Sequence, residues 1–455
     1  MTEPRKVVVI GGGITGLCAG YYAMKRHGRD AVAVLEAGPT PGGTAYTETV
    51  DGFTFEKGPN GFLDKEPKTL QWVRDLDLEN RVVKANTLAA RRFIYRNGAL
   101  HEVKPPPAFL ASKLLSLQGR LRLLGEPFIP QRVSEEEESI WDFAARRIGA
   151  ESADTLVSPM VSGIFGGDAK QLHLASCFPR MAAMEAEHGG LVKAMLAKRK
   201  QKGSGQGSAM GPGGTLTSFN GGMAVLIDRA AEELGASLRL NTPAARIERA
   251  DGVYRVQIEG GETLEAESVI VAAPAHVAAG LTHDLDADLG AALSEIPYAS
   301  MTVVCTGYER KAIGHDLHGF GFLVPRTQQK RILGCIWTST LFPGRAPKDK
   351  AILRTMIGGA TDPGAVELDD EAFLAILREE LFPMLDIQAD PVVYRIYRWE
   401  KAIPQYTFGH QARLRRIEAA EARHPGLRFA GNSYRGVGIN DCVLSALRAL
   451  GEEVP

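Results

Sequence analysis

The chain has 455 residues, more than one hydrophobic core usually supports, so two or more domains are expected. Lys and Arg number 53 against 54 Asp and Glu, a formal net charge of −1 that argues against a nucleic-acid binder. The five scattered cysteines lack metal-ligand spacing, and neither a signal peptide nor a membrane-spanning apolar run is present, so a cytoplasmic protein with reduced thiols and no metal is expected.

KVVVI (6–10) is a β-branched, nearly uninterrupted apolar run, the pattern of a strand buried on both faces. GGGITG follows at once, then LCAGYYAMKRHG with helical composition, then AVAVLEAG, a second buried strand ending at Glu36. These segments make one βαβ unit. Residues 65–78 are predicted helical. RFIYR-NG-ALHEV (92–103) is predicted to be a hairpin, because Asn97-Gly98 is a type I′ turn signal. PPPAFLASKLLSLQGRLRLLGEPFIP opens a helical region predicted to reach about residue 200. The run SEEEES (134–139) reads as a solvated helix start, and QKGSGQGSAMGPGG (201–214) as a flexible loop. SFNGGMAVLIDRAAEELG reads as a turn plus helix, 237–274 as consecutive short strands, and 301–357 as recurrent apolar strands. A helix near 370–385, a strand RFAGN (428–432) and a closing helix NDCVLSALRALG complete the pattern.

Gly11, Gly13 and Gly16 form GxGxxG between a buried strand and a helix, with an acid ending the next strand. Gly11 suits the tight turn, Gly13 admits a pyrophosphate close to the backbone, and Gly16 lets helix and strand pack. Gly12, Ile14 and Thr15 complete a helix N-terminus whose free N–H groups and dipole favour phosphate. Glu36, followed by Ala37, suits ribose hydroxyls. In EAGPTPGG (36–43) the pair Gly42-Gly43 resembles the extended FAD fingerprint of amine oxidase and desaturase relatives. Thr44 stands where those relatives usually carry a basic residue. DGFTFEKGPNGF (51–62) is similar to a segment recurring in the same flavoproteins, and Gly58, Pro59, Asn60 and Gly61 would bring backbone close to an isoalloxazine ring.

GIFGGDAKQLHLASCFP (163–179), HGFGFLVPRTQQKRILGCIWTSTLFPGRAP (318–347), RWEKAIPQYTFGHQARLRRIE (398–418) and RFAGNSYRGVGINDC (428–442) extend the similarity along nearly the whole chain. On these motifs the chain resembles the oxygen-dependent protoporphyrinogen oxidases, FAD enzymes of haem and chlorophyll synthesis. The resemblance implies an α/β and α+β fold. A Rossmann-like FAD-binding domain would be assembled from 1–88, 215–275 and 400–455. A helical membrane-docking domain would span 89–214, its hairpin at 91–104 contributing to the substrate pocket, and a mixed-sheet substrate domain would span 276–399. It also implies flavin contacts from Trp399, Gly431, Val437, Gly438 and Ile439, and backbone contacts to adenine from Ala244 and Ala245. Asn440 or Asp441 would cap the last helix.

The implied reaction is the six-electron oxidation of protoporphyrinogen IX to protoporphyrin IX in three turns, with O₂ reoxidising FAD and yielding hydrogen peroxide. The cofactor carries that chemistry, which accounts for the lack of a catalytic dyad or triad in the sequence. His173, His188 and His410 read as structural or surface residues. Asn60 is a candidate catalytic residue that would hydrogen-bond a pyrrole N–H or assist a proton transfer, or would instead cap a turn. The substrate is a large apolar disc with two propionates, so its pocket should be apolar with a fixed cation. The resemblance assigns that cation to Arg92, and Gly166, Gly167, Met301 and Phe320 to the disc. Strand alternation places Arg92, Ile94 and Arg96 on one face and Arg91, Phe93 and Tyr95 on the other. Residues 91–132 hold a basic, leucine-rich stretch suited to the inner face of a membrane, or to a helix with an apolar core face and a basic outer face. A homodimer and docking with the next haem-pathway enzyme are further family expectations. The alternatives are a coproporphyrinogen III oxidase of the same family, which would favour more than one pocket cation, another FAD-dependent desaturase or amine oxidase, and a non-catalytic FAD protein.

Overall fold

The β-branched run Arg5–Ile10 is a strand, and Val7, Val8, Val9 and Ile10 in it are buried. It pairs in parallel with Val32–Leu35 on one side and with the upper half of Thr263–Val271 on the other. Leu238–Arg239 extends the sheet beyond Val32–Leu35, and Leu427–Phe429 adds a parallel strand against Thr263–Val271. The lower half of Thr263–Val271 turns antiparallel, carrying Val253–Ile258 and then Ala244–Ala250. One face of the parallel part is covered by the helices Ile14–His27, Ala224–Leu234 and Ile439–Ala449 through Leu17, Leu226, Ile227 and Val443. Three chain segments far apart in sequence thus close one hydrophobic core. The computed structural model describes residues 4–105, 108–201 and 213–454, so most of the glycine-dense stretch expected to be a loop lies outside the described residues.

The second sheet runs in the order Val393–Pro404, Tyr298–Glu309, Lys350–Gly358, Ile332–Trp337, Gly321–Leu323, Phe93–Arg96, Ala99–Glu102. All its pairs are antiparallel except Gly321–Leu323 with Phe93–Arg96. The hairpin turn has Asn97 at φ 52° and Gly98 at φ 80°, the left-handed pair a type I′ turn requires. Val304, Leu353, Ile357 and Trp337 on one face pack on Phe373, Leu377 and Leu381 of the helical segment 370–385. On the opposite face Met301, Val303, Cys305, Ile352 and Met356 meet Phe53 and Phe55 of the hairpin Thr47–Val50/Phe53–Glu56. That second face looks toward the loops of the first sheet.

The expected helical region, 108–201, is a set of short helices. Gly149, Gly166 and Gly189 end three of them with φ of 91°, 58° and 72°, a conformation that other residues adopt at a cost. The glutamate run precedes its helix: Ser139 is the N-cap, its Oγ accepting from Asp142 N. Glu138 is not simply solvated, since it accepts from Arg146 at 2.9 Å. The segment is pinned by Arg147, fully buried, whose guanidinium donates to Glu126 and to Glu185. Glu126 in turn accepts the backbone N–H groups of Leu191 and Val192. Among the described residues no helix is long and apolar enough to cross a membrane. Removing one member of a buried ion pair leaves the other charge uncompensated, at about 3–5 kcal/mol. Glu126→Ala is therefore expected to lower the thermal midpoint by several degrees; an unchanged midpoint in calorimetry would contradict this role.

Candidate functional site

The turn Gly11–Gly16 joins the first strand to the helix Ile14–His27. A Cβ on Gly16 would overlap the Gly11 carbonyl oxygen, so helix and strand meet backbone to backbone. Gly11 has φ 108°, and a Cβ there would lie 2.9 Å from the Ala272 carbonyl oxygen. Gly13 is different: a Cβ there would have nothing within 4 Å. That space lies at the helix N-terminus, which has no side-chain cap and leaves its first N–H groups for an anion. Ile14 and Thr15 are buried in the first turn.

Glu36 does more than its position in sequence implies. Its two carboxylate oxygens accept from Gly12 N and Gly38 N, each at 2.7 Å. Two further acceptor positions remain on the carboxylate for ribose hydroxyls. Thr242 N donates to the Glu36 carbonyl, so 242–245 runs beside Glu36 and the exposed Ala37. Ala244 and Ala245 sit at a bulge in that strand. Gly42 N donates to Gly12 O at 2.8 Å, which lays Gly42, Gly43 and Thr44 over the dinucleotide turn. Gly431, with φ 124°, lies against Thr15.

The segment 56–63 comes next to these. Gly58 packs on the Thr44 carbonyl and Gly61 on that of Thr217, both too closely for a side chain. Trp399 Nε1 donates to Lys57 O at 3.1 Å, Arg354 Nη2 to Gly58 O at 2.6 Å, and Asn440 Nδ2 to Leu63 O at 2.9 Å. Pro59 precedes Asn60, which is buried and whose Oδ1 has no partner. Asn440 Oδ1 and Arg354 Nε are likewise buried and unpartnered. Gly438 is the N-cap of the helix Ile439–Ala449, beside Val437, and the reaching cap is Asp441, which accepts Gly438 N at 3.0 Å. Three orphaned polar atoms, an uncapped helix start and a glycine-lined cradle with room beside Gly13 fit a bound dinucleotide.

Met301 lies next to Trp399 and Gly358 across the second sheet. Its Cε reaches the space a Cβ on Gly166 would need, and Gly167 abuts Gln405. Phe320 lies under the Arg92 guanidinium, 5.6 Å from ring centroid to carbon. Arg92 is exposed, and none of the ion pairs among the described residues involves it. Its neighbours are committed: Arg91 pairs with Glu102 at 3.1 Å, and Arg96 with Glu151 at 2.8 Å. The two adjacent arginines do face opposite ways, since Ile94 packs on Leu114 and Leu115 while Phe93 packs with Trp337. An open cavity of about 690 Å³ adjoins Gly166-Gly167 through Ala299, Ala360 and Gln405, and Asp168, Glu367 and Glu400 also line it. Its acidic wall does not suit a carboxylate-bearing ligand. His410 is no base: burial brings its pKa down to about 4, and its ring stacks on Tyr406 at 4.3 Å.

Sequence reading did not single out Arg354 or Met356. The signal was there, because AILRTMIGG places one arginine inside an otherwise apolar buried strand.

The fold and the glycine cradle define a flavin-dependent dinucleotide-binding oxidoreductase. The chain belongs to the flavin containing amine oxidoreductase family, whose model matches residues 14–449, and its cofactor is FAD. It is 32% identical to the coproporphyrinogen III oxidase of Bacillus subtilis, covering 97% of each chain. It is also 32% identical to the chloroplastic protoporphyrinogen oxidase of Oryza sativa, over 96% of this chain and 86% of the relative. A crystal structure from Exiguobacterium, provisionally named a protoporphyrinogen oxidase, superposes with TM-score 0.83 at 27% identity, covering 99% of this chain and all of that one. UDP-galactopyranose mutase, TM-score 0.74 at 17% identity over 99% of this chain and 94% of that one, shares the fold.

Two glycine substitutions should separate folding from cofactor binding. Gly16→Ala is expected to prevent accumulation of folded protein, because its Cβ meets the Gly11 carbonyl. Gly13→Ala should fold, having open space, yet bind FAD at least tenfold more weakly by occupying the pyrophosphate approach. Flavin-to-protein ratio after gel filtration reads both, and full flavin in Gly13→Ala would displace the pyrophosphate from this turn.

Proposed function

We propose that the protein oxidises protoporphyrinogen IX to protoporphyrin IX, with FAD as the hydride acceptor and O₂ as the final oxidant. The observation that carries this reading is Arg92: an unpaired guanidinium over the Phe320 ring, on the side of its strand opposite Arg91. A fixed cation beside an aromatic surface suits an apolar disc with propionates. Gly11–Gly16 would hold the pyrophosphate, Glu36 the ribose, Ala244 and Ala245 the adenine edge, and Gly42–Thr44 the phosphate and ribitol. Gly58–Gly61, Trp399, Gly431 and Val437–Ile439 would hold the flavin. When bound, the flavin accepts two electrons with a proton from the substrate in each of three turns, and each turn converts one O₂ to hydrogen peroxide. The chain supplies orientation. Arg92 anchors a propionate, Phe320, Met301 and the Gly166-Gly167 backbone flank the macrocycle, and the unpartnered Asn60 Oδ1 accepts a pyrrole N–H.

The second reading is coproporphyrinogen III as substrate, favoured by the Bacillus relative that matches over 97% of both lengths. Its four propionates call for more cations, whereas Arg91 and Arg96 are already held by carboxylates. Anaerobic mixing of the holoprotein with each porphyrinogen in turn decides: the true substrate bleaches the oxidised flavin, and does so faster. No bleaching with either would remove the porphyrinogen reading altogether.

We also place the protein at the inner face of a membrane, held peripherally. Leu117, Leu121 and Leu124 are 67%, 61% and 55% exposed at helical spacing, and Phe128 is 87% exposed. The exposed Lys113 precedes them, whereas Arg132 is paired with Glu138 and Arg122 donates to the Arg146 and Arg147 carbonyls. A partly apolar surface bordered by an exposed cation inserts at anionic headgroups. Leu121→Ser with Phe128→Ser is expected to cut co-sedimentation with anionic vesicles at least fivefold, and equal sedimentation of the double variant would rule the surface out.

Arg92→Ala should raise KM several-fold to about a hundredfold, the loss of a charge-assisted contact of about 1.5–3 kcal/mol. Arg91→Ala, losing a half-exposed ion pair, should change KM by less than about threefold. Equal damage from both in steady-state kinetics would reverse the assigned facing.

A further inference from the structure

Arg354 lies in the strand Lys350–Gly358, every residue of which after Lys350 is buried. The residue is 6% exposed. One Nη donates to the Gly58 carbonyl, and Nε has no partner. No described carboxylate forms an ion pair with it. Glu56, the acid whose field reaches it, is already bound to Arg345, Thr47 and Met223 N. The strand neighbours at its register positions are Cys305 and Ile336. Glu56 and Arg345 balance each other, so this pocket retains one net positive charge.

An isolated guanidinium out of water is costly unless an opposite charge meets it. Lone cations on the surface need no such partner, but Arg354 has almost no contact with solvent. The side chain is covered even before cofactor and substrate are added, so neither a propionate nor the flavin touches it, and a partner charge acts on it through space. The remaining anion is one that forms inside the site. Transfer of two electrons and one proton to a neutral flavin ring leaves one negative charge on it unless a second proton follows.

We propose that Arg354 is the fixed counter-charge for the reduced flavin, raising the cofactor's reduction potential. The inference rests on the reading that Gly58–Gly61 borders the flavin ring. A cation preorganised in a low-dielectric site stabilises the charged reduced form over the neutral oxidised one. The carbonyl of Gly58 fixes its direction, and the charge acts through space across that backbone rather than by contact. The helix start at Gly438–Ile439 does not duplicate it, because the Asp441 carboxylate caps that end. Arg354 differs from it in carrying a full charge.

The test is the midpoint potential of the FAD-loaded protein, measured against equilibrating redox dyes with no porphyrinogen present. Arg354→Lys keeps charge and donor; Arg354→Gln keeps a donor and loses charge. The Gln variant is expected to have its equilibrium constant for flavin reduction lowered at least tenfold, about 30 mV for a two-electron couple. The Lys variant should stay within about threefold of the parent. Equal potentials in the two variants, whether both normal or both lowered, overturn the proposal, since a purely structural grip on Gly58 would not distinguish them. A readout on the unaltered holoprotein holds even if neither variant folds. Between pH 7 and pH 8.5 the potential should fall by about 30 mV per pH unit, one proton per two electrons. Twice that slope means that the reduced ring is neutral and removes the need for a counter-charge. Cys305 and Cys335, with thiols pushed up to about 12 by burial, stay neutral across that window, and Glu56 keeps its pair with Arg345. Failure to oxidise either porphyrinogen would leave these potentials readable, so the two ideas fail separately.

Discussion

The segment Glu56–Leu63 is gripped by side chains from four distant parts of the chain, and the geometry of the site follows from that grip. Glu56 is tied to Arg345, Thr47 and Met223 N. Trp399, Arg354 and Asn440 then take the carbonyls of Lys57, Gly58 and Leu63 in turn. Trp399 and Arg354 belong to the second sheet, while Asn440 starts the last helix over the first. Buried carbonyls must be satisfied, so this loop takes its shape only when both sheets are in place. The loop proposed to border the flavin is therefore a product of docking between the two halves rather than a local motif.

The dinucleotide end is built the opposite way. Its contacts are short in sequence and almost wholly backbone: Gly16 on Gly11, Gly42 on Gly12, Glu36 on Gly12 and Gly38. Glu36 holds the turn before any ribose arrives, which preorganises the phosphate cradle and lowers the ordering cost of binding. One end of the site is local and rigid from the outset, and the other closes through tertiary contacts.

That contrast explains which parts were legible in sequence. The glycine turn, the buried strands beside it, the Asn97-Gly98 hairpin and the split facing of Arg91 and Arg92 follow from backbone sterics and a period of two. The helical region is legible as such, but its division into short helices is not, because glycines at 149, 166 and 189 act as stops through positive φ, which composition does not display. The parallel pairing of Gly321–Leu323 with Phe93–Arg96 joins strands over two hundred residues apart, and no local pattern announces it. Arg354 belongs to the same class. Its sequence context marks it as unusual, but its meaning depends on Gly58 lying above it and on Glu56 being taken by Arg345.

The polar groups that converge on the flavin end share one property. Asn60, Asn440, Trp399 and Arg354 keep a single protonation state across the physiological range. The histidine candidates do not reach this place: His410 is held neutral under Tyr406, and His173 is turned to Ser176, 2.8 Å away. Amides, an indole and a guanidinium can orient and polarise, yet these groups cannot shuttle a proton, and the nearby carboxylates are held by Gly438 N and Arg345. Protons released as the macrocycle aromatises must then leave by way of the cofactor, solvent or the substrate's own nitrogens. Such a division suits a reaction driven by the substrate, in which the protein's task is to fix charge and direction and to leave the bond chemistry to the flavin.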